Sequence, residues 1–170
     1  MNSFLKNCIT SKEFRDKESI RDNKILVLDF EGTMVEARFA EKYIKSIDTA
    51  IPLVESLRRN VYAGLKPLKC MQELVELAFE YEWDIKVVTR INTGIDVLQI
   101  QQYLRENYPL IKETNLIGVV KEEQISQTLR FLKKEAFMIY VDDNLERCIF
   151  LEEALGRTDF FIFHVSSVYA

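Results

Sequence analysis

The chain is poor in the residues on which several common kinds of site depend. Its three cysteines are far apart and form no CxxC pair, so neither a disulfide framework nor a zinc knuckle is predicted. Its one histidine, His164, lies in an apolar run and is interpreted as a packing residue, which argues against Ser-His-Asp and Cys-His mechanisms. Only five glycines are present and no G-x-G-x-x-G follows a predicted strand, so a dinucleotide-binding domain is not expected.

Long apolar runs and a strong excess of charge are also absent. No stretch approaches the roughly 20 apolar residues that a membrane-spanning helix requires. Residues 1–7 do not have the apolar centre of a secretory signal, so a cytoplasmic location without membrane contact is the expectation. The net charge of −4 argues against a broad surface for nucleic acid. The 170 residues are enough for one globular domain with a substantial core.

Apolar runs typical of strands alternate with helical periodicity from Lys24 onward. This order predicts an α/β fold over residues 24–170, a Rossmann-like three-layer α/β/α sandwich with a central parallel sheet. Residues 1–23 are predicted to form an N-terminal arm, either with a short helix near 13–20 or without one. The predicted strands are 25–29, 85–89, 115–120, 137–142 and 160–165. The predicted helices are 67–81, 95–107, 122–135 and 144–155.

A segment between the first strand and the first helix of this core keeps a helical period. Pro52 should break it into two helices, so residues 34–62 are predicted to form a small helical insert. The alternative is a hairpin that only covers the edge of the sheet.

Carboxylates follow two of the predicted strands. Asp29 and Glu31 come directly after the apolar run 25–28, and Asp142 and Asp143 follow the run 137–141. Since parallel strands end at the same edge of a sheet, these acids are expected to form an oxygen-rich site that suits Mg²⁺ better than zinc. The alternative is a pair of strands that end in acidic turns.

Four short motifs, taken in order, carry a resemblance to a known family. They are Asp29-Phe30-Glu31-Gly32-Thr33, Thr89 at a strand end, Lys121 before a helix, and the pair Asp142-Asp143. From about Lys24 to the carboxyl end, the chain resembles the haloacid dehalogenase-like superfamily of phosphatases and phosphotransferases.

The resemblance implies a Mg²⁺-dependent phosphatase that forms an aspartyl phosphate on Asp29. Glu31 would act as general acid and base, Thr89 would donate a hydrogen bond to a phosphoryl oxygen, and Lys121 would supply positive charge. Mg²⁺ would be held by Asp29, the backbone carbonyl of Glu31 and Asp142, with Asp143 either as a further ligand or as a partner of the ligands.

The substrate class implied is a phosphomonoester on a small molecule or a macromolecule. Arg90 and Asn92, just past the second strand, are predicted to contact it. Members of the family commonly place a cap where residues 34–62 lie, so the resemblance implies a small helical cap insert here. A small cap would leave the site open to a bulky substrate or to closure by a partner subunit in a homo-oligomer.

Glu31 departs from the family pattern, which has aspartate at this position. The two side chains have similar intrinsic pKa values, but an error of about 1 Å in placement could cost a hundredfold in rate. A catalytically impaired pseudoenzyme that acts as a binding or regulatory module is therefore the alternative. A two-component receiver would carry its acidic pair on the first strand, so the order of the motifs argues against that class.

Overall fold

Five parallel strands form the centre of the computed structural model, which describes residues 1–14, 21–36 and 62–169. Their order in the sheet is β3-β2-β1-β4-β5, so β1 is the central strand. The strands are β1 (Lys24–Leu28), β2 (Asp84–Arg90), β3 (Leu116–Val119), β4 (Phe137–Asp142) and β5 (Phe160–His164). The predicted parallel sheet is confirmed, and each strand lies within one residue of its predicted bounds.

Helices connect the strands and cover both faces of the sheet. They are α1 (Ser3–Thr10), α2 (Lys69–Glu80), α3 (Gly94–Asn107), α4 (Glu123–Lys133), α5 (Leu145–Leu155) and α6 (Ser166–Tyr169), with a 3-10 turn at Glu113–Asn115. Among the helices of the described ranges, none is both long enough and apolar enough to cross a lipid bilayer.

Alternating residues of the strands form two separate apolar cores. Leu26 and Leu28 of β1 belong to a core that includes residues of α1, α2 and α3. Ile25 and Val27 belong to a second core, with residues of α4 and α5. Because successive side chains of a strand point to opposite faces, these two cores lie on the two sides of the sheet. The three-layer α/β/α architecture is thereby confirmed.

Helix α1 makes the beginning of the chain part of the first core. Leu5, Cys8 and Ile9 are fully buried, and the indole Nε1 of Trp83 donates a 3.1 Å hydrogen bond to the carbonyl of Ile9. The described part of the predicted N-terminal arm therefore packs on the sheet. Most of the helix predicted near 13–20 lies outside the described residues.

The predicted cap insert, residues 34–62, also lies largely outside the described residues. Its described beginning is anchored to the core, because Tyr108 Oη donates a 2.6 Å hydrogen bond to the carbonyl of Met34. Val35 also pairs with Pro67 in an isolated antiparallel bridge. The helical character of this insert remains a prediction.

Candidate active site

The first and fourth motifs meet at the carboxyl edge of the sheet. Leu28 of β1 lies opposite Val141 of β4 and Val87 of β2, so the residues that follow these positions share one edge. The amide of Asp29 continues the ladder with a 3.0 Å hydrogen bond to the carbonyl of Val141. The strands that follow β1 in the chain lie on both sides of it, β2 and β3 on one side and β4 and β5 on the other. Open α/β sheets bind ligands at the carboxyl edge where the strand order reverses in this way.

Three carboxylates form a compact cluster at this edge. Asp29, Asp142 and Asp143 each offer an oxygen atom, and these atoms lie within 4.8 Å of one another. Burial, and then the neighbouring Asp142, raise the pKa of Asp29 well above its ordinary value. The same two causes raise the pKa of Asp143. A cluster of this kind favours a bound cation, because each negative charge opposes the ionisation of the others.

The fully buried carboxylate of Asp142 is held by three hydrogen bonds. Its Oδ2 accepts from Tyr140 Oη at 2.6 Å and from Arg147 Nη1 at 2.8 Å, while its Oδ1 accepts from the amide of Asn144 at 2.8 Å. Each carboxylate oxygen has two lone pairs. Oδ1 therefore keeps one lone pair with which it could bind a metal ion.

Arg147 is a site residue that the sequence analysis missed. Its Nη1 lies 3.9 Å from Asp29 Oδ1, and its Nε and Nη2 donate to the carboxylate of Glu122 at 2.5 and 3.2 Å. Together with its bond to Asp142, these contacts place a guanidinium beside the acidic cluster. Its position in the first turn of the helix that follows the acidic pair was the only signal in the sequence.

Gly32 allows Asp143 to approach the first motif. Its φ is +75°, a left-handed conformation in which a side chain is strained. A Cβ atom at this position would also lie only 2.6 Å from Asp143 Cγ. The position therefore requires glycine both for its backbone conformation and for the close packing of the two motifs.

Glu31 lies beside this cluster rather than in it. Its side chain is exposed, and Oε1 accepts a 2.8 Å hydrogen bond from Tyr62 Oη. Only the backbone carbonyl of Glu31 is predicted to bind the metal ion, so its carboxylate is not needed as a metal ligand.

The other predicted site residues lie around the same edge with different partners. Thr89 is buried at the carboxyl end of β2. Lys121 is exposed in the turn before α4, and its side chain makes no ion pair with the acids of the described ranges. Arg90 points to the same turn, with Nη1 3.7 Å from Glu122 Oε2. The amide of Asn92 bonds to the side chain of Asp96 at 2.7 Å, in the turn that begins α3.

His164 ties the last strand to the acidic loop. Its Nε2 lies 2.9 Å from the carbonyl oxygen of Asp143, so this nitrogen carries the proton and donates. Its Nδ1 is 2.8 Å from Ser166 Oγ. The interpretation as a packing residue therefore missed a structural hydrogen bond that positions Asp143.

The donor set of the cluster fits a hard cation such as Mg²⁺. All three side chains supply carboxylate oxygens, the ligands that Mg²⁺ prefers. Cys148 Sγ lies 4.0 Å from the carbonyl of Asp142, and burial, followed by the charge of Asp142, raises the pKa of this thiol to about 12. A donor set made only of carboxylate oxygens suits Mg²⁺ better than zinc.

The solved structures that resemble this chain include a hydrolase, a domain of an effector protein and a phosphatase. A protein described as a haloacid dehalogenase-like hydrolase from Burkholderia xenovorans is 9% identical, with a TM-score of 0.54 over 82% of this chain and 80% of that one. The HAD domain of the effector protein Lem4 from Legionella pneumophila is 15% identical, with a TM-score of 0.50 over 84% of this chain and 85% of that one. A class C acid phosphatase from Bacillus anthracis with tungstate bound is 12% identical, with a TM-score of 0.60 over 96% of this chain and 75% of that one.

No family model matches the sequence, and no curated protein matches it significantly. At the low identities of the solved structures, the likeness concerns the three-dimensional arrangement. The resemblance seen in the four motifs is thus confirmed for the fold: this protein has the haloacid dehalogenase-like fold.

Proposed function

We propose that the protein is a Mg²⁺-dependent phosphatase that cleaves a phosphomonoester through an aspartyl phosphate on Asp29. The observation that carries the proposal is the cluster of Asp29, Asp142 and Asp143, with Asp29 buried at the end of the central strand. The class C acid phosphatase among the similar structures supports the same class of reaction.

Asp29 is the proposed nucleophile. One of its carboxylate oxygens forms a bond to phosphorus while the bond between phosphorus and the ester oxygen breaks. Asp142, Asp143 and the backbone carbonyl of Glu31 would join Asp29 in holding Mg²⁺. The ion, when bound, would neutralise the repulsion between the attacking carboxylate and the phosphate.

Glu31 is the proposed proton donor and acceptor. Its carboxylic acid gives a proton to the departing ester oxygen, and its carboxylate then takes a proton from the water that attacks the aspartyl phosphate. Water adds to phosphorus, the acyl phosphate bond breaks, and inorganic phosphate and the Asp29 carboxylate are released.

The remaining predicted residues would bind the phosphate and the substrate. The hydroxyl of Thr89 and the ammonium of Lys121 would contact the transferred group, the latter from the turn before α4. Arg90 and Asn92, at the same edge of the sheet, would contact the rest of the substrate, a phosphorylated small molecule or macromolecule.

A catalytically impaired binding module is the second candidate. Two observations favour it: glutamate replaces aspartate at position 31, and the Arg147 guanidinium already pairs with Asp142. Such a protein would bind the metal ion and a phosphorylated ligand without releasing phosphate.

The test is phosphate release from p-nitrophenyl phosphate and a panel of phosphorylated metabolites, with Mg²⁺ or with a chelator. We expect Mg²⁺-dependent release by the native chain and none by Asp29→Asn. The control is Asp84→Asn, the same change at the opposite end of a strand in this sheet, which should keep full activity. No release by the native chain, with activity gained in Glu31→Asp, would favour the binding module.

A further inference from the structure

Glu31 depends on a residue from a distant part of the chain, Tyr62. We propose that Tyr62 is a positioning residue that orients the Glu31 carboxylate for proton transfer. The inference rests on the proposed phosphatase function. Its central observation is the 2.8 Å hydrogen bond that Tyr62 Oη donates to Glu31 Oε1.

The ring of Tyr62 is held firmly, although its hydroxyl reaches the site. The residue is 7% exposed, and its ring packs edge-on against Phe30 with the centroids 5.0 Å apart. Tyr103 packs against both rings, 6.3 Å from Tyr62 and 5.6 Å from Phe30. Because Phe30 lies between Asp29 and Glu31 in the chain, this aromatic cluster fixes the hydroxyl relative to the first motif.

The backbone on which Glu31 lies is held as well. Glu31 pairs with Val35 in an isolated bridge, and the amide of Gly32 donates a 2.9 Å hydrogen bond to the carbonyl of Val35. The amide of Met34 closes the same turn with a 2.9 Å bond to the carbonyl of Phe30. The main freedom left to the Glu31 carboxylate is therefore rotation of its own side chain.

That freedom is larger than it would be for aspartate, because glutamate has one more rotatable bond. Displacement of a catalytic carboxylate by about 1 Å can lower the reaction rate about a hundredfold. The bond from Tyr62 holds Oε1 of Glu31. Within the described ranges Oε2 has no hydrogen bond, so Oε2 is the oxygen available to exchange a proton with the substrate. Tyr62 thus compensates for the methylene by which Glu31 differs from aspartate.

The test compares two substrates that differ in the basicity of the departing oxygen. The variant Tyr62→Phe removes only the hydroxyl and keeps the ring in its packing. For a primary alkyl phosphate, whose alkoxide needs a proton to leave, we expect kcat/KM to fall by about tenfold or more. For p-nitrophenyl phosphate, whose phenolate leaves without a proton, we expect kcat/KM to change by less than about twofold.

Two controls separate positioning from a general structural effect. Tyr103→Phe removes a hydroxyl from the same aromatic cluster, where it donates a 3.1 Å bond to the carbonyl of Leu65. It should affect both substrates alike. In the Glu31→Asp background the shorter side chain no longer reaches the hydroxyl of Tyr62, so adding Tyr62→Phe should have no further effect on either substrate.

An equal loss on both substrates in Tyr62→Phe would overturn the inference, and so would the same selective loss in Tyr103→Phe. Both results would leave the phosphatase function intact, since the native chain would still release phosphate. A native chain that hydrolyses neither substrate and is indistinguishable from Asp29→Asn would overturn the proposed function and the inference together.

Discussion

The crowding of three carboxylates predicts that Asp29→Asn stabilises the metal-free protein. At an effective dielectric constant of about 20, two repulsions over at most 4.8 Å cost at least about 3.5 kcal/mol each. The attraction of Asp29 to Arg147 over 3.9 Å offsets about 4 kcal/mol of this. Removal of the Asp29 charge should therefore raise the free energy of unfolding by about 3 kcal/mol when all three acids are ionised.

The stability that Asp29→Asn gains over the native chain should depend on pH, in a direction set by the pKa of Asp29. Burial, and then Asp142, raise that pKa above the ordinary value of 3.8, so the folded state holds the proton more tightly than the unfolded state. Stability of the native chain then falls as pH rises from the ordinary value through the raised one, by at most about 1.4 kcal/mol per pH unit for one group. Asparagine does not ionise, so the advantage of the variant should grow with pH.

The assay is urea unfolding of the native chain and Asp29→Asn with a chelator, at one mildly acidic and one mildly alkaline pH. Asp84→Asn, in which the carboxylate is far from the cluster, should show no such growth with pH. Mg²⁺ should stabilise the native chain more than it stabilises the Asp29→Asn variant, because only the native chain has an anionic ligand for the ion at position 29. A stability difference that is the same at both pH values would refute the reasoning.

Two further substitutions test the geometry around the cluster. Arg147→Met should destabilise the chelated protein by about 3–5 kcal/mol in urea unfolding, since Asp142 would keep a buried charge without its cation. It should also tighten Mg²⁺ binding measured by calorimetry, and an unchanged affinity would contradict the account of Arg147. Gly32→Ala should weaken Mg²⁺ binding by displacing Asp143. Gly64→Ala is its matched control, because Gly64 has a similar φ of +80° but no atom of the described residues within 4 Å of the place of a Cβ, so only stability should fall there.

Local sequence patterns predicted most of the described fold. A strand buried on both faces must be a short apolar run, and for this reason the predicted strand 137–142 coincides with β4. An amphipathic helix repeats its apolar residues every three or four positions, and the predicted helix 67–81 contains α2. The cluster of Asp29, Asp142 and Asp143 could be anticipated for a topological reason, since parallel strands bring their carboxyl ends to one edge.

Contacts between distant segments were decided only by the tertiary structure. Tyr62 reaches Glu31 across a separation of 31 residues, and Arg147 reaches Glu122 across 25. His164 bonds to the carbonyl of Asp143 from the neighbouring strand. No local pattern specifies such pairs, because each depends on the packing of whole elements and on the direction of single side chains. The sequence therefore determined which acids meet at the edge of the sheet, and the three-dimensional packing determined which neighbours hold them there.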